Sequence, residues 1–275
     1  MLAASQWHPE RFDLDAYLAR VGYDGPREPT EKTLRVLHRA HTSTIAFENL
    51  DIMLGREISL DIDDLQDKMV SRGRGGYCLE HATLFGAALE RLGFGVTRLN
   101  ARIAGADPAR PRPRTHALLR VIADGRPWIA DVGFGFGVPE PVPLVDGAVV
   151  EQGPWTYGMR REGDGWLLST REPDGTWSRL HTFVEDPQHW IDYVVTNHFV
   201  ATHPSSPFVG HVIAMRTTDT ARTRLRARDL TTIDPDGRTT VQSLTGEAVL
   251  RTLRTTFAIT LTNADAKALL ATLPA

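Results

Sequence analysis

The sequence predicts an α+β fold in which helices come first, a small β-barrel or curled sheet follows, and a mixed region ends the chain. Three observations support this order. Apolar residues recur at helical spacing over about the first 95 residues, alternate with polar residues from residue 96, and show both patterns after about residue 185. The chain has 275 residues, 41% hydrophobic and 24% charged, which is enough to bury a core.

The N-terminal part is defined by its apolar spacing and by the signals that start and stop helices. Thr30 is the expected N-cap of the second helix, and Gly93 is placed to end the fourth. The predicted helices cover residues 12–21, 30–41, 64–70 and 78–92. The first part of the chain is therefore predicted to be helical.

The strands are predicted from alternation and from turn residues. Asp124 and Gly125 form a turn that joins two of the strands into a hairpin. The strands of the middle part cover residues 96–103, 116–122, 128–132, 166–168 and 177–180. The last third is predicted to contain a helix opening at Pro187, strands over 211–216, 221–230 and 239–244, and helices over 246–257 and 263–273.

Composition excludes several classes of protein. The chain carries 31 basic and 34 acidic residues, a net charge of −3, whereas a dedicated nucleic-acid binder is usually strongly basic. No apolar run approaches the roughly 18 residues of a membrane span. The N-terminus has no signal-peptide pattern, and a single cysteine cannot form an internal disulfide. We therefore expect a cytoplasmic protein that binds neither nucleic acid nor membrane.

The strongest chemical signal is the segment around Cys78, the only cysteine. Three glycines within four positions precede it and allow a close approach that side chains would obstruct: Gly73, Gly75 and Gly76. A helix is predicted to start at or next to Cys78, and the positive end of a helix dipole favours a thiolate. The alternative is a buried structural cysteine, a common fate of this residue. The glycine run favours the interpretation as a nucleophile.

A nucleophilic cysteine needs a base, and His116 is the candidate because it opens a strand directly after a proline-rich loop. Asp131 ends the strand expected to pair with it. If the two strands pair through the turn at Asp124, residues whose numbers sum to about 247 to 250 face each other, which brings His116 opposite Asp131. A carboxylate would then orient the imidazole, as a thiolate–imidazolium pair requires. An aspartate before a glycine-rich turn is otherwise typical of a simple turn former.

The glycines after Asp131 do not form a nucleotide-binding motif. Gly133, Gly135 and Gly137 depart from the G-x-G-x-x-G spacing, and the prolines that follow prevent an immediate helix. The loop still lets the backbone approach a phosphate or an acyl group. A run of arginines before the second strand is typical of a solvated loop, with a phosphate clamp as the alternative: Arg110, Arg112 and Arg114.

Metal binding is the other interpretation of cysteine and histidine near each other. Cys78 and His81 are spaced i, i+3, and so are His38 and His41. The sequence contains no H-E-x-x-H motif and no second cysteine. Histidine pairs on helices are more often packed or solvated, so no metal is expected.

Three motifs stand in order along the chain: RGGYCLE at residues 74–80, THALL at 115–119 and DVGFG at 131–135. In this combination the sequence resembles the arylamine N-acetyltransferases, in particular those of the actinobacterial type. Further matches lie at residues 20–23, 45–50 and 202–208, so the resemblance runs from about residue 12 to the C-terminal region. One departure is Ala46, where the family often has proline.

The resemblance implies a three-part fold with a triad core like that of cysteine proteases. Its three parts are a helical bundle over residues 1–95, a β-barrel over 96–185 and an α/β lid over 211–275, joined by an interdomain segment over 186–210. This order agrees with the helices, strands and mixed region read from the residues.

The resemblance also implies roles for individual residues. Cys78 matches the acetylated nucleophile, His116 its base and Asp131 the partner of the base. The aromatic positions that line the family's acceptor pocket match Phe47, Phe134 and Phe208. The turn approached by acetyl-coenzyme A matches Gly133 and Gly135. The positions that support the site match Arg74, Glu48 and Tyr77.

The implied activity is a ping-pong transfer of acetyl from acetyl-coenzyme A to arylamines, hydrazines or N-hydroxyarylamines, without a metal, by a monomer or homodimer. Two enzymatic alternatives share the triad chemistry: a macrolactam-forming amide synthase of the same family and a cysteine hydrolase or transglutaminase-like enzyme. A non-catalytic binding protein with a degenerate site is a third alternative, against which the intact Cys78, His116 and Asp131 speak.

Overall fold

Eight α-helices surround two antiparallel sheets in the structure, a computed structural model that describes residues 6–105, 110 and 112–274. The helices are α1 (Leu14–Val21), α2 (Glu31–Thr44), α3 (Leu50–Met53), α4 (Ile62–Leu65), α5 (Cys78–Arg91), α6 (Trp190–Thr202), α7 (Gly246–Thr255) and α8 (Asn263–Thr272). A π-helical turn, Gln66–Ser71, continues α4. Helix α5 is the central one, because all its side chains from Cys78 to Leu89 are buried.

The helix ends follow local chemistry. Asp13 caps α1 by accepting the backbone N–H of Ala16 at 3.0 Å, and Thr30 caps α2 by accepting that of Thr33 at 3.3 Å. Glu80 reaches back to accept the backbone N–H of Tyr77 at 3.0 Å, which fixes the start of α5. Within the described residues, no helix combines the length and the apolar character that crossing a membrane requires.

The larger sheet has eight strands and closes almost completely into a barrel. Its strands are β2 (Gly95–Ile103), β3 (His116–Ala123), β4 (Arg126–Ala130), β5 (Val142–Pro143), β6 (Ala148–Gln152), β7 (Trp155–Glu162), β8 (Gly165–Arg171) and β9 (Trp177–Phe183). Their order in the sheet is β5-β4-β3-β2-β9-β8-β7-β6. The buried residues of this sheet form one apolar cluster, which includes Leu99, Tyr157 and Leu168. Helix α5 packs against strands β2 and β3.

The smaller sheet takes one strand from the N-terminal part of the chain. Its strands are β1 (Phe47–Glu48), β10 (Ile213–Thr217), β11 (Arg222–Arg226), β12 (Asp229–Ile233) and β13 (Thr239–Ser243), paired in that order. Phe47 pairs with Met215 and Glu48 with Ala214. Helices α7 and α8 share an apolar cluster with this sheet, which includes Leu225, Val249 and Leu269. The pairing of β1 with β10 ties the helical part to the C-terminal sheet.

The α+β fold class and the order of its helices and strands are confirmed. Three details of the prediction are wrong. Residues 221–230 form two strands because Ala227 adopts a left-handed φ of 51° and turns the chain. The helix expected to open at Pro187 begins at Trp190, after His189 as its N-cap. Strands β1, β5, β6 and β7 and helix α3 were not predicted. The domain boundaries at residues 95, 185 and 210 stay a prediction.

Candidate active site

Cys78 is the first residue of α5 and is buried, with 3% of its surface exposed. Its Sγ donates to the carbonyl of Thr115 at 3.6 Å. The loop after Asp131 packs directly on the cysteine: a Cβ at Gly133 would lie 2.7 Å from Cys78 Cα. Only glycine therefore fits at position 133, and the loop and the helix start approach each other as closely as backbone allows.

His116 and Asp131 meet at the end of the β3–β4 hairpin. His116 opens β3, and Asp131 directly follows β4. The last pair of the ladder is Leu119 with Ala130, so the numbers of paired residues sum to 249 and Asp131 lies one residue beyond the ladder. Its carboxylate nevertheless accepts from His116 Nε2, with distances of 3.0 Å to Oδ1 and 2.9 Å to Oδ2.

The protonation of this pair follows from its surroundings. Burial disfavours the imidazolium of His116, but the Asp131 charge, its hydrogen bond and the Cys78 side chain outweigh burial and raise the pKa of His116 to about 10. Burial likewise opposes the carboxylate of Asp131, yet the neighbouring histidines hold its pKa well below its usual range. Because Nε2 of His116 donates to Asp131, Nδ1 is the nitrogen left for Cys78. The arrangement supplies a charged, oriented imidazolium beside a thiol.

His181, on β9, is a second histidine on the same carboxylate, and sequence reasoning did not identify it. Its Nε2 lies 2.9 Å from Asp131 Oδ2, and its ring lies 5.1 Å from that of His116. The side chain is fully buried. The only local signal was its position on a strand, two residues before the buried Phe183, because its partner lies 50 positions away in the sequence.

His38, on α2, connects the two ends of the loop over residues 131–139. Its Nε2 accepts the backbone N–H of Asp131 at 3.1 Å, so its Nδ1 carries the proton and donates to the carbonyl of Pro139 at 2.9 Å. This histidine must be neutral to do both. Burial lowers its pKa to about 4, outweighing the nearby acids. His38 thereby fixes the loop that packs on Cys78.

The buried ion cluster (Glu48, Asp51, Lys68, Arg74 and Glu80) holds the segment next to Cys78, since Glu48 accepts the backbone N–H of Gly75 and Glu80 that of Tyr77. Arg74 reaches Glu48 at 2.8 Å and Asp51 at 3.2 Å. Lys68 reaches Asp51 at 2.7 Å and Glu80 at 2.8 Å. The structure thus brings together the predicted pair of Arg74 and Glu48. It adds three residues that the sequence did not single out, because their contacts span long separations.

A cavity of about 540 Å³ opens at Cys78 and His116. Its walls include all three aromatic side chains expected there: Phe47, Phe134 and Phe208. Gly133 also lines it, whereas Gly135 lies beside Met215, in an adjoining narrow space. Tyr77 is fully buried and hydrogen-bonded to Asn197, so it supports the wall behind Phe208.

The other candidates from the sequence are distributed differently. Arg112 lines the cavity, while Arg114 lies 4.0 Å from Asp186; Arg110 is not among the lining residues. His81 and His41 hydrogen-bond each other at 2.8 Å, so neither pairs with Cys78 or His38 as metal ligands would.

Within the described residues, one group has the ligand atoms and spacing to hold a metal ion. It consists of His116, Asp131 and His181, whose ligand atoms lie within 4.8 Å of one another. The hydrogen bonds from both histidines to the carboxylate account for this spacing without an ion.

Known proteins resemble this chain in sequence over most of its length. A family model described as N-acetyltransferase matches residues 30–266. The chain is 41% identical over 225 residues to the arylamine N-acetyltransferase of Mycolicibacterium smegmatis, covering 79% of this chain and 81% of that protein. It is 38% identical over 253 residues to that of Mycobacterium tuberculosis strain H37Rv, covering 90% and 89%.

Solved structures resemble it equally well. The arylamine N-acetyltransferase from Mycobacterium abscessus matches with a TM-score of 0.93 at 40% identity, covering 99% of this chain and 98% of that one. The Mycobacterium marinum enzyme in complex with CoA matches with a TM-score of 0.87 at 38% identity, covering 94% and 98%. The fold and these matches define an acyltransferase. The chain belongs to the arylamine N-acetyltransferase family, which confirms the resemblance drawn from the three motifs.

Proposed function

We propose that the protein transfers an acetyl group from acetyl-coenzyme A to the nitrogen of an arylamine, a hydrazine or an N-hydroxyarylamine, through acetyl-Cys78. The observation that carries this proposal is the position of Cys78 and His116 in the wall of one cavity, with Asp131 behind His116 and outside that wall. A nucleophile and its base face the substrate space, while the orienting carboxylate is shielded from it.

In the first half-reaction, the Cys78 thiolate attacks the carbonyl carbon of the acetyl thioester. The new bond joins Cys78 Sγ to the acetyl carbon, and the bond to the coenzyme A sulfur breaks. The departing thiolate takes the proton from the His116 imidazolium, which leaves acetyl-Cys78 beside a neutral imidazole.

In the second half-reaction, the amine enters the same cavity and its nitrogen attacks the acetyl carbon. His116 accepts the proton that the nitrogen loses, and the bond to Cys78 Sγ breaks. The thiolate–imidazolium pair is thereby restored. Asp131 stabilises the imidazolium in both halves and holds the ring in one orientation.

The cavity suits an aromatic acceptor. Phe47, Phe134 and Phe208 supply apolar walls, and Phe47 and Phe208 lie 5.6 Å apart between ring centroids. Gly133 lines the cavity and lets its loop approach Cys78, whereas Gly135 lies against Met215 in the adjoining space. The M. marinum relative is known in complex with CoA. The segment that leads into α5 is fixed outside the cavity by Arg74, Glu48 and Tyr77. The structure thus supports acetyl-coenzyme A as a substrate bound at this cavity.

Mass spectrometry of the intact protein tests the proposal. After treatment with acetyl-coenzyme A, we expect the mass of one acetyl group on the peptide that contains Cys78, and its loss when an arylamine is added. Cys78→Ser is the control and should carry no thioester and turn over no substrate. Absence of the adduct would contradict the acetyl donor and favour an amide synthase. Decay of the adduct at the same rate with and without amine would indicate a hydrolase.

A further inference from the structure

We propose that His181 is a positioning residue of this site: its neutral imidazole donates to Asp131 and thereby sets the orientation and the charge distribution of the carboxylate that holds His116. The proposal rests on the function proposed above, in which His116 exchanges a proton in each half-reaction. His181 does not line the cavity, so it acts through Asp131 and not on a substrate.

The hydrogen-bond geometry fixes the tautomer of His181. Its Nε2 lies 2.9 Å from Asp131 Oδ2, and Asp131 is ionised, so the carboxylate only accepts. Nε2 of His181 must therefore carry a proton and donate it. The same oxygen is 2.9 Å from Nε2 of His116, so two imidazoles donate to Oδ2 while His116 alone also reaches Oδ1.

The surroundings fix the charge of His181. The side chain is fully buried, and its Nδ1 has no hydrogen-bond partner among the described residues. A second proton on Nδ1 would be a buried, unpaired donor on a buried cation, which is costly. Burial lowers the pKa of His181, and the charge on His116 acts in the same direction, against the pull of Asp131. Asp131 is thus held between one imidazolium and one neutral imidazole.

The titratable groups around this carboxylate come from four elements. His116 of β3 donates to the Asp131 carboxylate, and Cys78 of α5 lies next to His116. His38 of α2 accepts the backbone N–H of Asp131, and His181 of β9 donates to its carboxylate. Two aromatic rings pack beside His181, with centroids 5.6 Å away at Phe134 and 5.8 Å away at Phe183. Among these groups, His181 is the one that adds a donor to the carboxylate without adding a charge.

This position has a defined effect on proton transfer. A donor on Oδ2 draws electron density away from His116 and so limits how strongly Asp131 retains the imidazolium proton. Without His181, the carboxylate is less well stabilised as an anion and binds its remaining partner more tightly. We expect slower transfer of the His116 proton to the leaving thiolate and a shifted pH profile, with no direct loss of substrate contacts.

Two substitutions separate the hydrogen bond from packing. In His181→Gln, the side-chain amide nitrogen falls near the former Nε2 and can donate to Asp131. In His181→Asn, an equally polar amide is one methylene shorter and falls short of Oδ2. Phe183→Leu is the packing control, since it alters the neighbouring ring on the same face of β9 but no contact to the carboxylate.

The experiment measures the second-order rate constant for acetylation of Cys78 by acetyl-coenzyme A as a function of pH. We expect His181→Asn to lower it about 10- to 100-fold, the effect of losing one hydrogen bond to a charged group, and to shift the profile by about one pH unit. His181→Gln should recover most of the rate, and Phe183→Leu should keep the wild-type profile. Equal profiles for the Asn and Gln variants, or for the Asn variant and the wild type, would overturn the proposal.

A second readout separates this proposal from the proposed function. Alkylation of Cys78 by iodoacetamide depends on the thiolate–imidazolium pair and on no acyl donor. If the wild type is alkylated but not acetylated, the proposed function fails while the order of the His181 variants can still be read from alkylation. If alkylation has the same pH profile in all variants, His181 does not act on the pair and the inference is wrong.

Discussion

Two buried polar groups close to Cys78 differ in kind. One is the buried ion cluster, in which Lys68 and Arg74 are each paired with two carboxylates. The other comprises three histidines around Asp131, of which His116 is charged and His38 and His181 are neutral. The first group consists of paired cations and carboxylates, whereas the second consists of histidines, one of which, His116, exchanges a proton in the proposed reaction.

The carboxylates of the ion cluster hold the backbone near Cys78 in place. Its carboxylates also accept from the backbone: Glu80 from Tyr77 N at 3.0 Å, and Glu48 from Gly75 N at 3.3 Å and Leu50 N at 2.6 Å. Burial disfavours the carboxylate of Asp51, but Lys68 and Arg74 outweigh burial and lower its pKa to about 2. The ion cluster therefore fixes the backbone of the segment that leads to Cys78, whereas the histidines around Asp131 determine the protonation of His116.

The largest effect should come from the proton side. Asp131→Asn keeps the size of the side chain but removes the charge that stabilises the His116 imidazolium, and its amide can favour the wrong tautomer. We expect acetylation of Cys78 to slow by about a thousandfold or more, measured in single-turnover experiments. Asp124→Asn, in the turn of the same hairpin, is the matched control and should keep the wild-type rate. A loss of less than tenfold at Asp131 would show that the carboxylate is only structural.

The ion cluster should respond in stability and not in pH profile. Lys68→Met leaves Glu80 without a cation and Asp51 with one fewer, and both carboxylates are buried. We expect a loss of about 3–5 kcal/mol in the free energy of unfolding, measured by urea denaturation. Arg72→Met is the control: its ion pair with Asp67 is exposed, and its loss should cost about 1 kcal/mol or less. Equal losses would mean that the cluster is not a buried clamp.

The two groups also differ in how far the sequence predicts them. The proximity of His116 and Asp131 could be predicted from the sequence, because the tight turn at Asp124 fixes the pairing register of the two strands to within a few residues. In the observed register, in which paired numbers sum to 249, Asp131 is offset by two residues from the position opposite His116, yet the two side chains span that difference. His38, Lys68 and His181 reach the site from separate elements, and no local pattern in one sequence encodes such contacts. The same holds for the fold. Helices with N-cap residues could be predicted, whereas the turn at Ala227 could not, because alanine adopts a left-handed φ there and no glycine marks the turn in the sequence.

The smallest effect concerns three buried histidines of the helical part, His38, His41 and His81, and it appears as a pH dependence of stability. Burial lowers the pKa of His38 and of His81 from 6.5 to about 4, and it also holds the pKa of His41 well below its usual value. Each of these groups binds a proton in the unfolded chain below pH 6.5, and His38 and His81 remain neutral in the folded chain until about pH 4. Their contribution to stability is therefore complete above pH 6.5 and is lost as the pH falls toward the folded pKa.

The sign differs for the charged members of the two groups. The raised pKa of His116, about 10, makes its contribution complete below pH 6.5 and lost as the pH rises through 10, so it adds no slope on the acid side. The lowered pKa of Asp51, about 2, acts only as the pH falls from 3.8 toward 2. Between pH 6.5 and 4, the lowered pKa values of His38 and His81 therefore contribute to the slope, whereas the shifted pKa values of His116 and Asp51 do not.

Urea denaturation at several pH values between 6.5 and 4 measures this slope. Each neutral histidine should contribute about 1.4 kcal/mol per pH unit, so His38→Leu should reduce the slope by that amount relative to the wild type. Leu34→Ala, a buried substitution on the same helix, should lower the free energy of unfolding at every pH and leave the slope unchanged. An unchanged slope in His38→Leu would mean that His38 is charged in the folded protein. A charged His38 could not accept the backbone N–H of Asp131, so the assignment of His38 as a neutral histidine that fixes this loop would be wrong.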